Sequence, residues 1–240
     1  MLITYQFFSQ TGKRANNEDS VLCSSETGIF ILCDGVGGEN KGEIISELVC
    51  RSISEYYSES EESANNENFI KATREVENQI SEYVKINPES KGMATTLVFL
   101  QLSESAFIAH VGDSRLYYIR NGNIEFVTQD HSYVNELIAS GFIKEEEARN
   151  HPKKNYITRA VQDKEHPADP DFQYIHNLKE NDYFLLCSDG VMEAIDENFI
   201  KEFFTDNQQV EVITSKMKEI CSYRSNDNNS AIIIKIIEMN

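Results

Sequence analysis

Tryptophan is absent from the 240 residues, prolines number four and glycines 11, and the five cysteines include no C-x-x-C pair. So little proline and glycine excludes a collagen-like or low-complexity chain. The odd cysteine count, with Cys23, Cys33, Cys50, Cys187 and Cys221 lying mostly in apolar runs, argues against a disulfide framework and a thiolate zinc site. We read them as reduced core residues of a cytoplasmic protein. No apolar stretch approaches membrane-span length, and the N-terminus lacks the basic-then-apolar order of a signal peptide. Cations are scarce: 22 Lys and Arg against 40 Asp and Glu leave a formal charge of −18. A polyanion would be repelled, which argues against nucleic acid and anionic membrane surfaces as partners. Part of the acid, Ser58-Glu59-Ser60-Glu61-Glu62-Ser63, reads as a solvated connector.

What remains is an ordinary globular composition, 40% hydrophobic, with no linker to divide it, so we expect one domain over residues 1–240. Runs with β-branched and aromatic residues predict strands at 2–8, 20–24, 28–33, 95–102, 105–111, 115–120, 124–127, 171–176, 182–187 and 230–237. Helical spacing of Ile44, Ile45, Leu48, Val49, Ile53, Tyr56 and Tyr57 predicts a helix over 41–57. Phe69, Ala72, Val76, Ile80, Tyr83 and Val84 predict a second helix, closed by Pro88. Further helices are expected at 132–140, 191–204 and 208–221, with 142–156 irregular. Clustered strands and clustered helices imply an α+β fold: two packed, mostly antiparallel sheets flanked by helix pairs.

Four apolar runs share a feature. Ile29-Phe30-Ile31-Leu32-Cys33-Asp34-Gly35, Phe107-Ile108-Ala109-His110-Val111-Gly112-Asp113 and Tyr183-Phe184-Leu185-Leu186-Cys187-Ser188-Asp189-Gly190 each end on an aspartate beside a turn former. Asn226-Asp227-Asn228 leads into the strand Ser230-Ala231-Ile232-Ile233-Ile234 in the reverse sense. Each could be a plain turn, but four strand-end acids together would gather charge that is costly without a cation. Oxygen ligands of this kind suit hard divalent ions, and such a site suits phosphoester hydrolysis.

Nine segments in order carry a more specific signal: Arg14-x-x-Asn17-Glu18-Asp19, Asp34-Gly35-Val36-Gly37-Gly38, Met93-Ala94-Thr95-Thr96, Val111-Gly112-Asp113-Ser114-Arg115, Asp130-His131-Ser132, Asn150-His151-Pro152, Ile157-Thr158-Arg159-Ala160-Val161, Leu186-Cys187-Ser188-Asp189-Gly190 and Asp227-Asn228. Together they resemble the metal-dependent protein phosphatases of the type 2C (PPM) family, and its bacterial members in particular, over essentially the whole chain.

The resemblance implies a Ser/Thr protein phosphatase that uses two Mn²⁺ or Mg²⁺ ions and a water activated between them. Asp34 would bridge the ions, Asp189 and Asp227 would hold the first, and the Gly35 carbonyl the second. Glu18 and Asp19 would contact the second directly or through water. Asp113 would join Asp189 at a third, weaker ion, with Glu193 assisting through water, and Arg14 would grip the substrate phosphate. The implied partners are phosphoserine and phosphothreonine proteins and a cognate Ser/Thr kinase, met by a monomer. Val36 stands where many eukaryotic relatives carry a histidine, Ala94 replaces a common glycine, and Gln162 replaces the glycine that usually ends the Thr-Arg-Ala segment.

Among the histidines we expect His110 to be a core or sheet-surface residue and His131 to order its loop; His166 and His176 have no acidic motif beside them. Residues 142–156 are expected to form a flap beside the metals, in which Arg149, Lys153 and Lys154 would steer an anionic phosphopeptide. Two rivals share these residues: a hydrolase of small phosphoesters, and a module that binds phosphorylated partners without turnover. Metal-dependent hydrolysis separates the second, and substrate comparison the first.

Overall fold

The computed structural model describes residues 1–36, 41–59, 62–148, 150–206 and 208–239. Gly37 and Gly38 of the glycine-rich turn, Ser60 and Glu61 of the acidic connector, and Arg149 of the flap lie outside the described residues.

The chain runs β1 (Leu2–Gln10), β2 (Asp19–Ser24), β3 (Ile29–Val36), α1 (Gly42–Glu59), α2 (Asn66–Ile86), β4 (Ala94–Thr95), β5 (Leu97–Leu102), β6 (Ala106–Val111), β7 (Arg115–Arg120), β8 (Asn123–Val127), α3 (Tyr133–Ala139), α4 (Glu145–Ala148), β9 (Asp171–Ile175), β10 (Tyr183–Cys187), α5 (Asp189–Met192), α6 (Glu197–Phe203), α7 (Val210–Arg224) and β11 (Asn229–Glu238). One sheet has the order β1-β11-β10-β7-β8; the other has β2-β3-β5-β6-β9, with β4 paired to β3. All these pairings are antiparallel.

Side-chain alternation builds the layers. In β3, Phe30 and Leu32 meet Phe184, Leu186, Ile232 and Ile234 between the two sheets. Ile29, Ile31 and Cys33, on the opposite face, pack under α1 and α2 with Ile45, Val49, Phe69 and Ile80. Likewise Leu185, Cys187, Ala231 and Ile233 turn outward beneath α5, α6 and α7. Strands covered on both faces read as unbroken apolar runs, which is why the alternating signal is faint in the sequence. Phe30 and Phe184 have no solvent exposure; truncating either to alanine would cost about 3–5 kcal/mol. The expected α-β-β-α architecture is the observed one.

Three local expectations are corrected. The helix expected over 191–204 is two helices, because the Asp196 carboxylate caps the Phe199 amide (3.0 Å) and starts a second one. The irregular 142–156 segment contains α4, whose Glu147 accepts from the Lys144 amide (2.8 Å). The strand expected over 95–102 breaks at Thr96, which is outside both β4 and β5 and bonds to Asp34 instead.

Candidate active site

The register gathers the acids at one end of the molecule. Asp19 lies opposite Asp34 across β2 and β3. In the other sheet Cys187 lies opposite both Arg115 and Ala231, which aligns the starts of β7 and β11 with the end of β10. Two connections cross from sheet to sheet at that end. Residues 11–18 carry Arg14 and Glu18 from β1 to β2, and 112–114 carry Asp113 from β6 to β7. Between them lies a cavity of about 670 Å³ lined by Arg14, Glu18, Asp34, Gly35, Val36, Asp113, Asp189, Asp227, Asn228 and the wall from Asn155 to Ala160. Arg14, Glu18, Asp34, Gly35, Asp113, Asp189 and Asp227 thus face one space, Asp19 sits buried beneath it, and Glu193 is not among its lining residues.

Backbone packing holds these groups. The Asp34 amide donates to Thr96 Oγ1 (3.0 Å), and its carbonyl accepts from the Thr96 amide and Thr95 Oγ1 (both 2.8 Å). The Gly35 amide donates to the Glu18 carbonyl (3.0 Å). A Cβ on Gly35 would fall 2.3 Å from the Gly42 carbonyl, and one on Gly42 would fall 2.8 Å from the Glu18 carboxylate. Only glycine allows this approach of loop, strand end and helix start. Gly190 plays the same part opposite, where a Cβ would lie 2.0 Å from the Asn228 carbonyl.

Asn228 ties the Arg14 loop to β11. Its Oδ1 accepts from the Glu18 amide, and its Nδ2 donates to the carbonyls of Thr11 and Asn16, all at 2.8 Å. Ser188 plays a similar part in the centre: its hydroxyl donates to Asp19 Oδ2 (2.8 Å) and accepts from the Ser230 amide (3.0 Å). Arg14 reaches from the rim to Asp227 Oδ2 at 2.5 Å. Glu193, expected near the weaker ion, accepts from the Asn226 amide (2.9 Å) and steadies the loop before Asp227. Neither Asn228 nor Ser188 was assigned a role from the sequence, although both stand beside a predicted aspartate; amide and hydroxyl side chains carry no chemistry that marks them out. Thr96, quoted only within a motif, likewise proves to be the clamp on Asp34.

The electrostatics are those of a site built for cations. Burial pushes Asp34 well above the usual carboxylate range, and Asp19, Asp189, Asp113 and Asp227 add to the shift. Burial first, then neighbouring acids, raise Asp19 and Asp113 to about 7. Asp189 rises to about 6 through burial, then Asp227 and Glu193. Burial and then Glu43 raise Glu18. Asp19 Oδ1 is buried with no hydrogen-bond partner. An orphaned carboxylate oxygen under crowded like charges, with every nearby donor group an oxygen, fits a hard divalent ion.

Residues 155–160 form the opposite wall. Arg159 lines the cavity while bonding Asp171 Oδ1 (2.9 Å) and the Asp169 carbonyl (3.1 Å). Lys153, expected to steer substrate, is exposed and has its Nζ 4.9 Å above the Tyr133 ring of α3 and 5.8 Å from that of Tyr156. Among the described residues no histidine lines the cavity.

The family model for protein phosphatase 2C matches residues 9–220. A serine/threonine phosphatase Stp of Listeria innocua is 34% identical over 216 residues, covering 86% of this chain and 84% of that protein. A crystal structure of a bacterial serine phosphatase superposes with a TM-score of 0.88 at 32% identity and covers all of both chains. The catalytic domain of the phosphatase PstP in complex with two manganese ions superposes with a TM-score of 0.83 at 27% identity, covering 98% of this chain and 99% of that one. The chain belongs to the protein phosphatase 2C family.

Proposed function

We propose that residues 1–240 form one catalytic domain of a metal-dependent serine/threonine protein phosphatase, using Mn²⁺ or Mg²⁺. The observation that carries this reading is the unpartnered Asp19 Oδ1, buried beneath a cavity lined by Asp34, Asp113, Asp189 and Asp227 with Arg14 at its rim. Asp34, Gly35 through its carbonyl, Asp189 and Asp227 would hold the ions, with Glu18, Asp19 and Asp113 as further oxygen ligands. When bound, such ions supply Lewis-acid stabilisation of the phosphoryl oxygens and a water acidic enough to attack at neutral pH.

The chain's own residues do the rest. Arg14, 61% exposed at its side chain, is free to swing from Asp227 to a phosphate and to bind two of its oxygens in a fork. Thr95 and Thr96 keep the Asp34 carboxylate aimed, and Asn228 keeps the Arg14 loop seated on β11. The open mouth admits a phosphorylated side chain on a protein surface. Phosphoserine and phosphothreonine proteins are the substrates we assign, with the enzyme a cytoplasmic monomer opposing a Ser/Thr kinase; among the described residues no helix is long and apolar enough to cross a membrane.

The test is phosphate release from phosphothreonine and phosphoserine peptides with Mn²⁺ and with EDTA, run beside p-nitrophenyl phosphate and small phosphorylated metabolites. Metal-dependent release favouring the peptides is expected. Binding without turnover would overturn the assignment in favour of a recognition module, and preference for the metabolites in favour of a small-molecule hydrolase.

A further inference from the structure

Next to the cavity, the ring nitrogens of His110 and His131 and a carboxylate oxygen of Asp171 lie within 4.8 Å of one another. Two histidines and an acid suggest a metal site, yet their hydrogen bonds exclude one. His131 Nδ1 accepts from the Gly112 amide (3.1 Å), so the neutral ring carries its proton on Nε2, 3.2 Å from Asp171. His110 Nε2 faces the Gln129 carbonyl at 3.0 Å and must donate to it. No lone pair is left pointing at a common centre from these two atoms. His110 instead stacks on His131, centroids 4.5 Å apart and planes at 18°, and fixes the ring's plane.

His131 is then unusually well employed. Its amide donates to the Gly112 carbonyl (2.9 Å) while its ring accepts from the Gly112 amide, so one residue holds both polar groups of that glycine. Gly112 has φ of +105°, and a Cβ there would fall 2.6 Å from Thr96 Cγ2. The peptide bearing Asp113 is therefore set by His131 on one side and by Thr96 on the other. The His131 carbonyl accepts from the Thr158 amide (2.8 Å), and its Nε2–H faces Asp171, which also holds Arg159. Arg159 Nη1 lies 3.4 Å from the same Nε2, but with that nitrogen protonated the two donors make no hydrogen bond and meet only through Asp171. Thr158, Arg159 and Asp113 all line the cavity.

We propose that His131 is a positioning residue: through its neutral Nδ1 it orients the Gly112–Asp113 turn, and through its carbonyl and Nε2–H it locks that turn to the opposite cavity wall. The consequence for metal rests on the reading of Asp113 as an ion ligand, while the orienting role does not.

Asparagine and glutamine separate the two halves of the ring. His131→Asn places an acceptor near the position of Nδ1, whereas His131→Gln reaches toward Nε2 and leaves the Gly112 amide without its partner. Amide hydrogen exchange read by NMR should show Gly112 protected in the wild type and in His131→Asn, and exposed in His131→Gln. The ¹⁵N shifts of the wild-type imidazole should report the Nε2–H tautomer. Calorimetric Mn²⁺ titration should show the weakest site within about threefold of wild type in His131→Asn and about tenfold or more weaker in His131→Gln. In an Asp113→Asn background that difference should vanish, as expected of coupled residues. Equal Gly112 exchange in the two variants, or an Nδ1–H tautomer, would overturn the role of His131 whether or not metal binds. Absence of Mn²⁺ binding by the wild type would instead overturn the functional reading, leaving the exchange result to judge His131 alone.

Discussion

Arg14 and Asp227 are paired at 2.5 Å across the mouth of the cavity, so the proposed phosphate clamp rests on a proposed metal ligand. The arginine is largely exposed and the aspartate 28% exposed, which makes the pair a weak contributor to stability. Its meaning is positional. A cation drawn to Asp227 would compete with Arg14 and release it for substrate.

Arg14→Ala should therefore raise KM for phosphopeptides and lower kcat, while Mn²⁺ affinity by calorimetry stays the same or improves slightly. Arg14→Lys should recover only part of the loss, because an ammonium cannot form the two-pronged contact. A large fall in metal affinity in Arg14→Ala would show the loop to be structural.

Asp34→Asn, Asp189→Asn and Asp227→Asn should each nearly abolish turnover, Asp34→Asn most of all. The fold should survive, and metal-free Asp34→Asn should melt no lower than the metal-free wild type at pH 8, since burial and four neighbouring acids already oppose the Asp34 charge. Turnover close to wild type in any of the three, measured at modest Mn²⁺, would remove that residue from the site.

Asp113 makes a pH prediction. Its carboxyl ionises at about 7 in the folded chain and near 3.9 when unfolded, so between these values the folded state binds the extra proton. The stability this lends is complete below about pH 4 and is lost as pH rises through 7. In EDTA, Asp113→Asn should gain stability relative to wild type across that window by up to ~2–4 kcal/mol, then level off. His110 and His131, held low by burial, act in both proteins and cancel in the difference. Calorimetry at a series of pH values measures it; a difference that is flat, or shrinks with pH, would contradict the assignment. Saturating Mn²⁺ should stabilise the wild type by mass action.

Asn228 predicts a further effect at a residue that need not touch substrate. Asn228→Ala removes three hydrogen bonds at 2.8 Å and strands the Glu18 amide and two carbonyls. It should cost about 1–3 kcal/mol in denaturant unfolding and raise KM through a loosened Arg14 loop. Asn228→Asp keeps the acceptor but loses both donors, so it should recover little. Full stability in Asn228→Ala would mean that close backbone packing, such as that of Gly190 on the Asn228 carbonyl, holds the loop without these bonds.

How much of this was legible beforehand differs by residue. The strands carrying Asp34, Asp113 and Asp189 announce themselves as apolar runs ending at turn formers, and their order along the chain matched a known family. Composition argues against polyanionic partners, and the helical spacing of α1 and α2 marks the faces they bury. The split at Asp196 was missed because a single capping carboxylate outweighs a continuous helical period. Lys153 reads as a charge in the sequence, and only the fold shows that it stands over the rings of Tyr133 and Tyr156.

Contacts between residues far apart in the chain come into being only on folding. Which side chains are chemically able to hold a cation is a property of residue type and local turn, and so can be read from the chain before it folds. Folding decided that Asn228 would clasp the Glu18 amide, that Ser188 would bond Asp19, and that His131 would hold both polar groups of Gly112. Hydrogen bonds of about 3 Å are short-ranged and directional, so their partners exist only once sheet register and the packing of two sheets have brought the backbones together.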